Sequence, residues 1–198
     1  MLRGLIKKIP RSKNTLLRQV REGDNAVALE ALDALREKGC LADGSLHGTD
    51  WQKAALQNAR LAKATLESIA LREANLAGAY FGAASLRGAD LRGANLQRAN
   101  LCDAQLAEAT LTGADLHGAH LAAANLRDAD LAGTDLQGAN LWGADVRGAD
   151  FTGANLIGAN LYGAQFSEQT TLPDGTSWTV TIDLQRFTDN THPEVWQH

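Results

Sequence analysis

Cysteine is nearly absent from this sequence: Cys40 and Cys102 stand far apart and in no metal-ligand spacing. Two isolated thiols exclude a disulfide framework and read as reduced side chains of a reducing compartment. Long apolar runs are missing as well. None approaches the ~20 residues of a membrane-spanning helix. The opening Met1-Leu-Arg-Gly-Leu-Ile-Lys-Lys-Ile-Pro10 also lacks the long apolar stretch and cleavage site of a signal peptide. The expectation is a soluble cytoplasmic protein. Aromatic residues make up 5% and methionine occurs once, so the 44% hydrophobic content is nearly all Leu and Ala. So uniform an interior belongs to a repeat stack more than to an irregular globular core.

What the chain does have is a period of five. Leu or a close substitute recurs at every fifth position from Leu46 through Trp51 to Phe166. Typical units are Ala84-Ser-Leu-Arg-Gly88, Ala89-Asp-Leu-Arg-Gly93 and Ala94-Asn-Leu-Gln-Arg98. On an α-helix, steps of five advance by about 140° and form no face. On a flat strand, an odd period throws successive leucines to opposite sides. The pattern works only if the backbone turns a corner in each unit, so that every Leu points back to one axis. That is a solenoid. Ala two residues before each centre allows close approach. Gly two residues after it, as at Gly88 and Gly93, suits the corner, and Asn or Asp just before it suits turn chemistry.

Three regions follow. Residues 1–45 form a basic leader and a helical N-terminal cap. Ser12 is placed to cap a helix carrying Leu16, Leu17 and Val20, and Asp24 or Asn25 a second with Ala28, Leu29, Leu32 and Leu35 inward and Gly39 as its stop. Residues 46–166 are the repeat array, and residues 167–198 close its far end. There, Pro173 and Gly175 signal a turn, and Trp178, Val180, Ile182 and Leu184 alternate with polar residues as in a half-buried strand. Trp178, Phe187 and Trp196 are assigned as a structural lid.

The tandem A(D/N)LXX units resemble the pentapeptide repeat family, over about three fifths of the chain. The resemblance implies a right-handed, four-sided parallel β-helix with four units and twenty residues per coil. It also implies about six coils and a rod roughly 29 Å tall. Ile69, in place of the small inward residue, is expected to widen its coil, while Thr49 and Thr134 are tolerable there. The family includes bacterial quinolone-resistance and toxin-immunity proteins that bind DNA gyrase with a DNA-like acidic rod.

Catalytic chemistry is not visible. Nothing interrupts the register to make a cleft. The glycines open no helix and form no phosphate loop. His117 and His120, beside Asp115, fall where the motif accepts any polar residue. No catalytic, metal-binding or cofactor-binding residue is assigned, and an enzyme is not expected.

Folding the array at twenty residues per turn stacks Asp90, Asp130 and Asp150 on one face, with Thr110 between them. Arg87, Arg127 and Arg147 stack on another, and both signs read as interleaved. The face centred on Leu101, Leu121, Leu141 and Leu161 carries Tyr80, Cys102, His120, Trp142 and Tyr162 with almost no charge. Ile157 lies around the corner. Tyr80, Trp142, Ile157 and Tyr162 form the candidate protein-binding or self-association face, unless the tail folds back over them.

Residues 1–21 carry seven Lys/Arg and no acid, so with −4 for the whole chain the remainder carries −11. Arg3, Lys7, Lys8, Arg11 and Lys13 are the candidate arm for an anionic partner, including weak contact with a membrane surface. The array holds twelve acids and nine Lys/Arg. That balance disfavours direct nucleic-acid binding and is modest for a DNA mimic. The function read from sequence is a non-catalytic interaction or scaffolding module. A gyrase-binding DNA mimic and a membrane-surface adaptor are the alternatives.

Overall fold

The computed structural model describes residues 11–192. Two helices open it, α1 (Lys13–Glu22) and α2 (Asn25–Glu37). Ser12 Oγ accepts from the Thr15 N–H at 3.2 Å, and Asp24 Oδ1 from Val27 at 3.0 Å. Each satisfies one of the free donors at a helix start. At the end of α2, Gly39 takes φ +76°. Its N–H donates to the Arg36 carbonyl at 2.9 Å, and the Cys40 N–H donates to Leu35 at 3.0 Å. This is the Schellman stop that the glycine makes possible. Leu16 and Val20 of α1 are buried, as are Ala28, Ala31, Leu32 and Leu35 of α2. They join the apolar core continuous with the repeats.

From Asp50 onward the chain forms single-residue parallel bridges, each to the residue twenty further on: Asp50 to Ala70, Ala55 to Asn75, Arg60 to Tyr80, Thr65 to Ser85. The register holds to Asp145 and Gln165, and slips by one residue only at Asp150 and Thr171. Four units therefore make one coil, with four faces. The first has centres at Trp51, Leu71, Leu91 and so on to Phe151; the second runs from Leu56 to Leu156, the third from Leu61 to Leu161, the fourth from Leu66 to Phe166.

The unit Ala114–Gly118 shows why five residues suffice. The Ala114 N–H closes a turn onto Leu111 O at 2.8 Å. Asp115 donates up to Ala94 O at 3.0 Å, while Leu116 and Gly118 donate down to Asp135 O at 2.7 Å and Gln137 O at 2.9 Å. The remaining donor, His117, goes to Asp115 Oδ1 at 3.0 Å. All five N–H groups are paired within one unit, which buried backbone demands. Asn or Asp recurs before each centre because its side chain takes the one N–H that the coils leave over. The second turn residue always has φ near +60°, the pattern of a type II turn, whether it is Gly118 or a non-glycine such as Glu108 or Ala123. Non-glycine residues there cost about 1 kcal/mol each, which the surrounding ladder offsets.

Centres and the alanines before them are almost all fully buried. Trp51 and Phe151 stand at the two ends of the first-face column and Phe81 within the third-face column, all three rings buried. Ile69 does not widen its coil. It is fully buried, the bridges at Thr65 and Ala70 keep their register, and only its turn bond to Leu66 lengthens to 3.3 Å. Thr134 is tolerated because its hydroxyl donates to Leu131 O at 2.7 Å.

The far end departs from the sequence reading. No strand forms over 178–184; Val180 is 85% exposed. Thr171 and Ser177 make one antiparallel bridge. The chain then turns, with the Ile182 N–H on Thr179 O, into the short helix α3 (Gln185–Thr188). Alternation needs a partner strand, and beyond Trp178, whose N–H donates to Thr170 O at 2.8 Å, none lies beside residues 179–184, so a helix carrying Phe187 covers the end instead.

Candidate functional site

The lid residues divide. Phe187 is buried, with the Arg186 guanidinium 4.8 Å above its ring. Trp178 is half-buried and stacks on Phe166 at 5.6 Å and 15°. Arg186 also pairs with Asp174, whose carboxyl is held below its usual range by the Thr176 hydroxyl and N–H and by Arg186, against the opposing effect of burial. Trp196 lies outside the described residues.

Of the basic arm, Arg3, Lys7 and Lys8 lie outside the described residues. Arg11 pairs with Glu30 at 3.3 Å, and Lys13 Nζ donates to Ser45 O at 2.7 Å. These two charges thus fasten α1 to α2 and to the first coil. Arg36 does similar work, bonding Asp33 and the Arg60 carbonyl beside a small cleft under α2.

The aromatic residues are where the array leaves them free. Tyr80 and Trp142 are each 52% exposed and Tyr162 is 78% exposed. Tyr80 and His120 occupy positions normally held by Asn or Asp. Neither side chain closes the local turn, and each faces outward. Trp142 and Tyr162 follow Asn140 and Asn160, which do close it, at 3.1 and 3.0 Å. These two asparagines are bridged neighbours, with Asn160 Nδ2 on Asn140 Oδ1 at 3.1 Å, so the two rings lie one coil apart. Tyr80 is not with them: its column passes through Asn100 and His120 before Asn140, about 14 Å away. Ile157 is half-buried on the second face. The four candidates therefore resolve into one close pair and two outliers.

Around that pair the surface is flat and uncharged. On the third face, residues 119–124, 139–144 and 159–164 contain no Asp, Glu, Lys or Arg, and Ala122, Ala123, Gly143 and Gly163 add little relief. Cys102 lies above the patch, a free, half-buried thiol, while Cys40 is free and buried.

Charge elsewhere is segregated more than the sequence reading held. On the first face, Arg92 and Arg72 both clamp Asp90, at 2.6 and 2.8 Å. Arg92 foremost, then Arg72, holds the Asp90 carboxyl far below its ordinary value of 3.8. On the fourth face Arg147 pairs with Asp145 at 2.6 Å and lowers it in the same way. Yet residues 110–119, 130–139 and 150–159, the later coils of the first two faces, carry Asp115, Asp130, Asp135 and Asp150 with no Lys or Arg. The sequence signal was there. It appears once faces are divided by coil as well as by side.

The Asp90 cluster sets an expectation for acid. A carboxyl depressed in the fold contributes stability above its unfolded value, and that stability is lost as pH falls toward the folded value. Asp90→Asn retains an oxygen for the Arg92 N–H and removes only the charge. The variant should unfold at lower denaturant than wild type at pH 7, and the gap should shrink below pH ~4. Denaturant melts at pH 7 and pH 2.5 check this; a gap that stays constant contradicts it.

Among the described residues, no three of His, Cys, Asp or Glu are grouped to hold a metal ion, and no helix is long and apolar enough to cross a membrane. The repeat geometry is that of a family. The pentapeptide repeat pattern matches this chain in eight copies, over residues 41–78, 70–104, 104–143 and 134–168. The chain belongs to the pentapeptide repeat family, whose members form right-handed quadrilateral β-helices and are generally non-catalytic.

Among solved structures, it is similar to Rfr23, a pentapeptide repeat protein of the cyanobacterium Cyanothece 51142. Identity is 37% over 50% of this chain and 63% of that one, with a TM-score of 0.29. This chain thus spans less than two thirds of Rfr23. HetL of Nostoc sp. strain PCC 7120, involved in heterocyst differentiation regulation, is 27% identical over 67% of this chain and 86% of its own, TM-score 0.23. QnrB1, a plasmid-mediated fluoroquinolone resistance protein, is 21% identical over 72% and 74%, TM-score 0.47. No curated protein matches.

Proposed function

We propose that this protein is a non-catalytic protein-interaction module, a right-handed four-sided rod of about six coils that binds a protein partner through its third face. The observation that carries this is the Trp142–Tyr162 pair, exposed on a flat, charge-free surface three coils deep. Aromatic side chains with little surrounding charge are what protein interfaces concentrate. Elsewhere on the rod the same outward positions hold Arg, Gln, Thr, Ala and other small, polar or aliphatic residues, with His117 the one other ring beyond Trp51. We place the protein in the cytoplasm, a reading supported by its free thiols.

The test is capture from native lysate with wild type beside Trp142→Asp/Tyr162→Asp, read by quantitative mass spectrometry. Both substitutions are at exposed positions, so the variant should unfold within about 0.5 kcal/mol of wild type. A protein enriched by wild type and at least about tenfold depleted with the variant supports the reading. Equal recovery by both baits sinks it. The runner-up, a gyrase-binding DNA mimic, is favoured by the acidic strip Asp115, Asp130, Asp135 and Asp150. Gyrase subunits recovered equally by both baits would move the assignment to that strip.

A further inference from the structure

The last coil is closed unevenly. On the first face the tail lays down one more strand: the Thr171 N–H donates to Ala149 O at 3.0 Å, Phe151 donates to Thr171 O at 2.9 Å, and Gly153 donates to Pro173 O at 2.8 Å. Leu172 then lies under Phe151 as the next centre, 1% exposed. On the second face, Thr188 O receives the Gly158 N–H at 2.7 Å, while the Leu156 N–H meets no partner among the described residues; on the fourth face the Phe166 and Glu168 N–H groups meet none either, but the Trp178 ring stacks on Phe166 there. On the third face, Ala159 O and the N–H groups of Leu161 and Gly163 meet no partner among the described residues. One coil above, the same three positions are all engaged: Ala139 O by Asn160, Leu141 by Asn160 O, and Gly143 by Tyr162 O, at 2.9 to 3.0 Å.

Among the described residues the apolar cover is also thinner at the same place. Leu141 and Ala144 are fully buried, whereas Leu161 and Ala164 beneath them are only partly so. Open sheet edges are usually paired, charged or kinked away. This edge is straight and uncharged, and it ends beside the 78% exposed Tyr162.

The geometry points to a strand-binding site on this edge, which takes an extended segment of another protein as an added parallel strand. The template states the ligand's chemistry. One residue offers both its N–H, to Ala159 O, and its C=O, to Leu161. A large apolar residue follows and covers Leu161. The next residue's carbonyl receives Gly163. Thr171-Leu172-Pro173 meets this description on the first face. Main-chain pairing with one side chain in an apolar seat is the recognised logic of strand addition. The absence of charge in the last three coils of this face selects an uncharged segment.

The probe is a blocked peptide copying residues 169–173, Gln-Thr-Thr-Leu-Pro, which carries no charge, titrated into the full chain and followed by amide NMR and hydrogen exchange. In the free protein the Leu161 and Gly163 amides should exchange on the order of a hundredfold faster than those of Leu141 and Gly143. The peptide should shift them saturably and slow them at least ~10-fold, and a peptide with the Leu replaced by Asp should do neither. Trp142→Asp, which lies off the edge, should leave the effect intact, so this result stands apart from the fate of the lysate capture. Three outcomes overturn the proposal. The two amides are already protected in the free monomer, so the chain covers its own edge. Protection appears only as a dimer forms in sedimentation, so a second copy is the occupant. The peptide shifts other amides or none.

Discussion

Replacing Leu116 by Ala should lower stability by about 3 kcal/mol. Leu116 is fully exposed to its neighbours and not at all to solvent, in the middle of the second-face column between Leu96 and Leu136. What makes its loss costly is the inability of the surroundings to collapse. The backbone at Leu116 is held from below by Asp135 O at 2.7 Å, and its neighbour Asp115 is held from above by Ala94 O at 3.0 Å. Closing the cavity would break these bonds, so the cavity stays. In a solenoid each coil contacts only its neighbours. The loss should therefore broaden or split the denaturant transition as well as shift it. Circular dichroism across a guanidinium series reads both. A shift under ~1 kcal/mol with an unchanged slope would mean that the coils slide together, and that the ladder is softer than its geometry implies.

Phe187→Ala should be comparably severe, about 3 to 4 kcal/mol, but confined to one end. Phe187 is 2% exposed and belongs to the same core as the coils. Its helix also supplies the Thr188 carbonyl to Gly158. Without the ring, the apolar floor under the last coil meets water and α3 loses its anchor. Hydrogen exchange should quicken in residues 151–166 and stay unchanged around Leu71–Leu101, because coupling passes only through adjacent coils. Phe187→Leu should recover part of the loss. Uniform quickening along the rod would show that the stack unfolds as one unit.

Much of this was legible from residue types alone. Ser12, Asp24 and Gly39 bound the two helices where capping chemistry places them. The five-residue period demanded a corner per unit, and the asparagines and aspartates before each centre do accept the turn N–H. The alternation at Trp178–Leu184 misled because it describes a strand without supplying its neighbour; Val180, an inward position in that reading, is among the most exposed apolar residues. The binding face was over-gathered for a related reason. Tyr80 shares a face with Trp142, but not a coil.

Here the boundary between the two kinds of information is physical. An inward Leu, an inward Ala and a turn residue are each decided within five residues, by burial and by local backbone hydrogen bonds. The sequence by itself therefore determined the coil and the chain's place among pentapeptide repeat proteins. Which outward side chains become neighbours depends on bonds between residues twenty apart, and which edge of the last coil is closed depends on the path of the tail. Those are long-range contacts, and only the tertiary structure decided them. It brought Trp142 and Tyr162 together, gathered four aspartates without a cation among them, and left Leu161 and Gly163 unpaired at the rim.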